Sequence, residues 1–258
     1  MTTQSRDTLD FDVPDDWHET FFDGPMNRFW ESITPREATE AEAAFVLRRL
    51  DLTPGARILD APCGAGRHAR AFARAGYQVT ALDSSRDAIS RTVTTAEADG
   101  LDVQFEIADM RDFRLAAPVD GVACLGNSVG YFRPEQTDAF FRCFAAALRP
   151  GGRLVLETGC VAESLFPIVR ERRIAFDGGV YEAELAYDAM RSVLKTRGRL
   201  HLGEAVHGFR YAHQVMTTGE LVRRLDAAGL ETLSLHGDVD DGPYDLGSPR
   251  LLLTAIKA

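Results

Sequence analysis

The stretch from Arg57 to Arg70 constrains the fold of this chain more than any other. It reads R-I-L-D-A-P-C-G-A-G-R-H-A-R, which is a short apolar run ending in a carboxylate, a glycine-rich turn and the start of an alanine-rich helical pattern. This order predicts a strand, a tight loop and a helix. Because Gly64 and Gly66 have no Cβ, the loop can bend sharply and a ligand can come close to its backbone. The free N–H groups of the following helix would face that ligand.

A second strand supplies an acid where a ribose-binding residue is expected. The run from Gln78 to Leu82 is followed by Asp83, about 20 residues after the glycine loop, which is the usual spacing in nucleotide-binding folds. The dinucleotide fingerprint G-x-G-x-x-G is incomplete, because Ala69 stands at its third glycine, although that position sometimes accepts alanine. A different nucleoside ligand is therefore favoured.

Four segments together resemble the motifs of class I S-adenosylmethionine (SAM)-dependent methyltransferases. I-L-D-A-P-C-G-A-G-R-H is similar to motif I, L-D-S-S to the acidic motif after strand 2, I-A-D-M-R-D-F to the adenine-binding segment, and L-R-P-G-G-R-L-V-L to the turn before strand 5. They follow the family's order over residues 57–158. The resemblance implies an α/β fold with a doubly wound, seven-stranded, mostly parallel sheet and SAM as cofactor. A Rossmann-like protein with another nucleotide is the alternative.

The resemblance also implies roles in the cofactor site. Asp83 would accept hydrogen bonds from the ribose hydroxyls, and Asp60 would lie near the methionine ammonium group. Gly64 and Gly66 would admit the methionine portion to the loop backbone.

The same resemblance places the adenine at the third strand. Asp109 would bind the adenine amino group with Met110 against the ring, while Arg67 either binds the methionine carboxylate or faces water. The complete predicted cofactor set is Asp60, Gly64, Gly66, Arg67, Asp83, Ser84, Asp109, Met110 and Gly126.

A polar loop follows the predicted fourth strand and supplies candidates for substrate contact. In a doubly wound sheet, ligands bind beyond the carboxyl ends of the strands where strand order reverses. We therefore expect Asn127, Ser128 and Tyr131 to face the acceptor or the methyl donor, although a turn whose side chains satisfy their own backbone is the alternative. Methyltransferases of nucleobase or glutamine amino groups carry an N-P-P-Y-like tetrad here. This chain lacks it, since Ser128 and Val129 replace the prolines.

An aromatic segment precedes the first predicted long helix. Leaving its rings in water would cost roughly 1.5 to 3 kcal/mol each, so residues 1–33 are expected to fold back over the domain. The segment would either form a flap over cofactor and substrate or pack on the outside of the sheet. Its rings are Phe11, Trp17, Phe21, Phe22, Phe29 and Trp30.

Two S/T-x-x-E sequences predict the starts of helices. Thr34 to Glu37 and Thr217 to Glu220 both have the form of a capping box.

The pattern changes to hairpins after the fifth strand. Residues 161–215 read as short strands joined by turns, including those at Met190 and Gly203, which predicts an antiparallel β insert. Such an insert resembles that of methyltransferases of small amines and sugars, and would act as a lid, a substrate element or a dimer element. The cofactor-binding domain would then comprise residues 34–160 and 216–258.

Strand alternation places four aromatic or imidazole side chains on one face of the last insert strand. That face would line a substrate pocket, pack on the domain below, or form a dimer interface. Its members are His207, Phe209, Tyr211 and His213.

Composition excludes several classes of function. The net charge of -10 disfavours nucleic acid as a partner. No apolar run approaches the ~20 residues that cross a bilayer, and the first residues do not resemble a signal peptide, so we expect a cytoplasmic protein that does not bind membranes. The four cysteines have no zinc-ligand spacing, which predicts reduced thiols and no metal site.

These observations predict methyl transfer from SAM to an N or O atom of a small molecule, with N favoured by the insert. Transfer is an in-line displacement in which catalysis comes mainly from proximity. The predicted catalytic residues are Asn127, Tyr131 and His207, with His207 or His213 as the base that a hydroxyl acceptor needs. The alternatives are a protein or peptide N-methyltransferase and a SAM-binding protein without transfer activity. A homodimer is possible.

Overall fold

The computed structural model of the protein describes residues 11–166 and 171–258. The first ten residues of the predicted flap and residues 167–170 of the predicted insert lie outside the described residues.

The described strands form a seven-stranded sheet and a four-stranded sheet. The strands are β1 (Arg57–Asp60), β2 (Gln78–Asp83), β3 (Val103–Ile107), β4 (Val119–Cys124), β5 (Leu148–Thr158), β6 (Glu171–Phe176), β7 (Gly179–Asp188), β8 (Val193–Leu202), β9 (Ala205–Gln214), β10 (Leu230–His236) and β11 (Leu251–Lys257).

The described helices are α1 (His18–Phe21), α2 (Pro25–Ser32), α3 (Arg36–Leu50), α4 (Arg67–Arg74), α5 (Arg86–Ala98), α6 (Pro134–Ala147), α7 (Ala162–Leu165) and α8 (Thr218–Ala227). Helices α3, α4 and α5 pack on one face of the larger sheet, and α6 and α8 pack on the other.

The larger sheet has the order β10-β11-β5-β4-β1-β2-β3. Its first five strands in the chain pair in parallel, whereas β11 is antiparallel to both β5 and β10. The predicted doubly wound, mostly parallel fold is therefore confirmed. Strand order reverses between β1 and β4, which is where such sheets bind ligands.

The core of the larger sheet is built from strands that are apolar on both faces. In β1, Ile58 packs with α3 and α4 through Phe45 and Phe72, while Leu59 packs with α6 through Phe140 on the other face. All five side chains are almost fully buried. Burial on both faces is what a central parallel strand requires.

The smaller sheet is fully antiparallel, with the order β6-β7-β8-β9. The predicted hairpins are thus present, and their turns lie at residues 177–178, 189–192 and 203–204. Its inner face packs against residues 11–33, where the Tyr181 ring stacks between Phe29 and Phe209 with centroids 4.9 Å apart on each side. Stacked aromatic pairs add stability beyond the area they bury.

The two predicted helix caps have different outcomes. Thr217 Oγ1 accepts a hydrogen bond from Glu220 N at 3.1 Å, so that cap is confirmed. The box at Thr34 is wrong, because its hydroxyl donates to the Trp30 carbonyl oxygen at 2.9 Å and closes the preceding helix α2. The sequence pattern did not distinguish the end of one helix from the start of the next.

None of the helices within residues 11–166 and 171–258 has the length and apolar character needed to span a membrane.

Candidate functional site

A cavity of about 630 Å³ lies at the switch point of the larger sheet. The carboxyl ends of β1, β2 and β4 form its floor, and residues 17–34 together with the end of β9 form its cover. Its volume falls within the range of small-molecule and cofactor sites. The residues that line it include Asn27, Gly64, Asp83, Asp109, Tyr131, Arg172, Tyr211 and His213.

Asp83 is held in place by the glycine loop. One carboxylate oxygen accepts a hydrogen bond from Gly64 N at 2.8 Å and the other accepts one from Ser85 N at 2.9 Å. Burial raises the pKa of Asp83. Because each oxygen uses one lone pair on the protein, the carboxylate retains acceptor capacity toward the cavity that it lines. Ser84 also lines this cavity, so two neighbouring residues of the predicted cofactor set both lie on its wall.

Asp60 lies beneath the glycine loop rather than on the cavity wall. Its side chain is 1% exposed, and neither carboxylate oxygen has a hydrogen-bond partner among the described residues. Burial raises the pKa of Asp60 to about 7, against an ordinary value of 3.8. A buried carboxylate is costly unless its charge is compensated, and a cationic group of a ligand would compensate the charge of Asp60.

The two loop glycines have different functions. An added Cβ at Gly64 (φ +51°) would meet nothing within 4 Å, so this position leaves the backbone open to a ligand. At Gly66 (φ +66°) the same Cβ would lie 2.0 Å from Thr92 Cγ2. Gly66 does not line the cavity. This placement supports a packing role for Gly66, because helix α5 approaches the loop closely there. Its contact with the cofactor stays a prediction.

Replacing Gly66 with alanine is expected to destabilise the protein by about 2 to 4 kcal/mol, from backbone strain and from overpacking against Thr92. Urea unfolding measures the loss. Gly100→Ala is the matched control, since Gly100 has a similar φ of +65° and open space around its Cβ; it should cost only about 1 kcal/mol. Adding Thr92→Ser removes the clashing methyl group and should restore part of the loss. Equal losses in the two glycine variants would refute the packing role.

The predicted adenine residues lie together on the cavity wall. Met110 is buried and lines the cavity. Asp109 lines it too, but its carboxylate accepts hydrogen bonds from Arg111 N at 2.8 Å, from Arg111 Nε at 2.9 and 3.0 Å and from Arg111 Nη2 at 2.5 Å. Asp109 is therefore oriented by its neighbour, and an amino group would compete with Arg111 for the carboxylate oxygens.

Arg67 is bound to helix α3 as well as exposed to the cavity. Its Nη1 donates to Glu42 Oε2 at 2.6 Å and to Thr39 Oγ1 at 3.0 Å. Glu42 also contacts His68 Nε2 at 3.0 Å and accepts from Arg250 at 2.5 Å. This network anchors the first turn of α4. The predicted contact of Arg67 with a carboxylate would have to use its other N–H groups.

The loop after β4 is fastened to the end of β5. Gly126 N and Asn127 N donate to Glu157 Oε2 at 2.9 and 3.1 Å. Asn127 Oδ1 accepts from Thr158 Oγ1 and Gly159 N, and its Nδ2 donates to Cys160 Sγ at 3.1 Å. With both ends of its amide used, the Asn127 side chain braces the loop. Its predicted catalytic role is not supported by this placement.

The Ser128 side chain hydrogen-bonds the backbone of its own turn, which was the alternative to substrate contact. Its buried hydroxyl donates to the Leu125 carbonyl oxygen at 3.2 Å.

Tyr131 is the centre of an aromatic wall. Its ring lies 5.1 Å from Trp17, 5.4 Å from Phe22 and 5.3 Å from His213. Burial raises the pKa of the Tyr131 hydroxyl well above 10, so the hydroxyl stays protonated. The residue thus faces the cavity as predicted, with a neutral aromatic ring and a phenol donor.

His213, rather than His207, is the imidazole of this wall. His207 is partly exposed and does not line the cavity, six residues and about 20 Å of strand away from His213. His213 is 7% exposed, and its Nε2 has no hydrogen-bond partner among the described residues. Burial, with the charge of Arg172, lowers the pKa of His213 to about 4. The placement of His207 does not support its predicted catalytic role.

Asn27 and Arg172 are two of the cavity residues that the sequence-based site did not include. Asn27 on α2 is 6% exposed with an unpaired Nδ2 atom, and Arg172 on β6 faces the cavity rim. No motif marks either one. Asn27 could have been found from its position on the apolar side of a short helix. A buried amide needs a hydrogen-bond partner, and a ligand could supply one.

Comparisons with known proteins agree with this geometry. Residues 58–152 match the family described as a methyltransferase domain. The "Ubiquinone biosynthesis O-methyltransferase" of Xanthomonas euvesicatoria is 32% identical over 138 residues, covering 51% of this chain and 56% of the relative. The chain thus spans little more than half the length of the curated relatives it matches.

Solved structures are similar over nearly the whole chain. The CcbJ methyltransferase from Streptomyces caelestis has a TM-score of 0.80 at 18% identity, covering 93% of this chain and 99% of its own. The sugar N-methyltransferase from Streptoalloteichus sp. has a TM-score of 0.69 at 19% identity, covering 100% and 98%. At such identities the likeness concerns the fold. The matched domain, the ordered motifs and the shared fold together support a class I SAM-dependent methyltransferase.

Proposed function

We propose that this protein transfers a methyl group from SAM to an N or O atom of a small molecule bound in the same cavity. One observation carries the proposal: a single cavity joins the glycine loop and Asp83 at one end to an aromatic wall with an unpaired imidazole at the other. A methyl donor and an acceptor need such a shared enclosure to reach each other. SAM, when bound, supplies a methyl group on a sulfonium leaving group.

The cofactor end fits a nucleoside with a cationic amino acid portion. Asp83 would accept the ribose hydroxyls with the lone pairs that Gly64 N and Ser85 N leave free. Asp60, which is buried without a donor, would stabilise the ammonium group electrostatically. Met110 and Asp109 would take the adenine.

The acceptor end fits a compact, unsaturated or apolar molecule. Trp17, Phe22 and Tyr131 would exclude water and hold the acceptor, which brings the nucleophile to near-attack distance. His213 Nε2 would accept a hydrogen bond from the N–H or O–H to be methylated. N-directed transfer is favoured, because a neutral amine needs only this acceptor, whereas a hydroxyl needs a stronger base than an imidazole of pKa about 4.

The covered cavity supports a small molecule over a protein or peptide acceptor. Residues 17–34 and the end of β9 line it together with the strand ends, and a concave site of this kind suits a small molecule better than an extended chain. Nucleic acid is disfavoured by the net charge of -10. A homodimer formed through the smaller sheet stays a prediction.

Labelled SAM incubated with panels of amines, phenols and alcohols tests the proposal, with transfer expected to an amine. His213→Phe should lower kcat by about 10-fold to 100-fold, as loss of one positioned proton acceptor does, and leave the affinity for S-adenosylhomocysteine (SAH) unchanged. His207→Phe is the matched control, because His207 lies on the same strand face outside the cavity. SAH binding with no transfer to any panel would instead favour the binding protein without transfer activity.

A further inference from the structure

Arg172 is an exposed residue of the edge strand β6 and lies on the inner face of the smaller sheet. The register pairs Arg172 with Ala183, Ala183 with Gly198 and Gly198 with Phe209. These residues share the face that carries Tyr181 and packs against the N-terminal segment. Only a methyl group and a glycine lie between the arginine and the Phe209 ring, so its side chain has room to extend over the sheet toward the cavity that it lines.

In the part of the chain that the structure describes, Arg172 also has no ion-pair partner, unlike nearby arginines. Arg173 donates to Glu182 at 3.1 Å and Arg197 donates to Glu184 at 2.7 Å. Among residues 11–166 and 171–258, no carboxylate lies within 4 Å of the Arg172 guanidinium. The other half of the cavity has its cations neutralised, since Arg67 binds Glu42 and Arg111 binds Asp109. Arg172 is therefore a cavity-lining guanidinium that retains its full donor capacity.

The surroundings of Arg172 would strengthen its contact with an anion. The cavity next to it is lined by Tyr211 and His213, which are buried, and by Trp17. Electrostatic interactions are stronger near such low-dielectric walls than in water. In a chain with a net charge of -10, an anion would otherwise be repelled. The positive charge of Arg172 would offset that repulsion at the cavity rim.

We propose that Arg172 binds an anionic group of the methyl acceptor, so that the acceptor is a small molecule carrying a carboxylate or a similarly planar anion. The inference rests on the proposed function and deepens it. The planar guanidinium matches a carboxylate with two parallel hydrogen bonds. The anionic end of the acceptor would sit at the cavity rim, and its nucleophile would lie inward against the aromatic wall.

The charge of Arg172, at the anionic end of the acceptor, also affects His213 at the other end. It is one of the two causes that lower the pKa of His213, after burial. An anion paired with Arg172 would neutralise that charge and raise the pKa of His213. An anionic acceptor would thus make its own proton acceptor more basic on binding.

The methionine carboxylate of SAM is the other anion that could reach Arg172, and the test separates the two sources. Both tryptophans of the chain, Trp17 and Trp30, line the cavity, so intrinsic fluorescence reports its occupancy. We would titrate the SAH-saturated protein with benzoate and with its neutral isostere benzamide, at low salt. SAH affinity would be measured separately by calorimetry.

Wild-type protein should bind benzoate about tenfold more tightly than benzamide, the ratio expected from one charge-assisted contact. Arg172→Gln should reduce that ratio to about one and leave SAH affinity unchanged. Arg173→Gln is the matched control, since Arg173 faces the opposite side of the sheet, and it should keep the wild-type ratio.

Three results would overturn the inference: no preference for benzoate in the wild-type protein, a preference that survives in Arg172→Gln, or SAH affinity that falls tenfold in that variant. The last result would assign Arg172 to the methionine carboxylate. A wild-type protein that does not bind SAH at all would instead contradict the proposed function, so the two failures are distinguishable.

Discussion

Replacing Asp83 with alanine is expected to weaken SAH binding by a factor of about 100 or more. The carboxylate would accept two ribose hydroxyls, and each hydrogen bond to a charged group is worth roughly 1.5 to 3 kcal/mol. Asp83 also orients the loop through Gly64 N and Ser85 N, so its loss would disturb the backbone that approaches the cofactor. Isothermal titration calorimetry measures the effect directly.

Two further variants make the result interpretable. Asp83→Asn keeps the side-chain shape and one carbonyl acceptor, and should retain an intermediate affinity. Asp102→Ala removes an exposed acid next to β3, and should bind SAH as the wild-type protein does. If Asp83→Ala bound SAH within threefold of the wild type while remaining folded, the proposed ribose contact would be wrong.

Replacing Asp60 with asparagine is expected to stabilise the unliganded protein at pH 8 and to weaken its affinity for SAM. The pKa of Asp60 is about 7 in the folded protein and 3.8 ordinarily. The folded state therefore binds the proton more tightly, so this group's contribution to stability is present below pH 4 and is lost as the pH rises through 7. That loss amounts to roughly 4 kcal/mol, and the amide would not suffer it.

The difference in unfolding free energy between Asp60→Asn and the wild type, measured in urea at pH 4.5, 6 and 8, isolates this effect. The wild-type profile alone does not, because His68 and His213 have pKa values lowered to about 4 and therefore add stability as the pH rises from 4 to 6.5. The difference should grow with pH. A difference that stays constant would show that Asp60 ionises normally. If Asp60→Asn lowered the affinity for SAM and raised the unfolding free energy, Asp60 would be a binding residue that is kept at a cost in stability.

The cofactor half was predictable from sequence because its determinants are local. A strand, a glycine turn and a helix follow each other within residues 57–74, and Asp83 ends the next strand. Hydrophobic periodicity and glycine placement report such short-range order directly. The parallel sheet followed, since strands that alternate with helices have few alternative topologies.

The acceptor half was less predictable because its determinants are contacts between distant segments. Alternation placed His207 and His213 on one face of β9, but only the end of that strand reaches the cavity. Asn127 looked like a substrate contact in the sequence, yet its amide is used by residues 158–160, about thirty positions away. That Arg172 has no ion-pair partner among the described residues is a property of the folded chain, and no sequence motif indicates it.

Residues 17–34, which line the cavity, are hydrogen-bonded to the start of helix α5 in the cofactor half. Asp23 accepts a hydrogen bond from Ser85 Oγ at 2.7 Å, and Gly24 N donates to Asp87 at 3.3 Å. Exchange of wall residues such as Trp17, which lines the cavity, would leave these two contacts and the glycine loop in place. Related proteins with other acceptors are therefore expected to differ mainly in the aromatic residues of the cavity wall and in β9, and to keep the residues at positions 23–24 and 85–87.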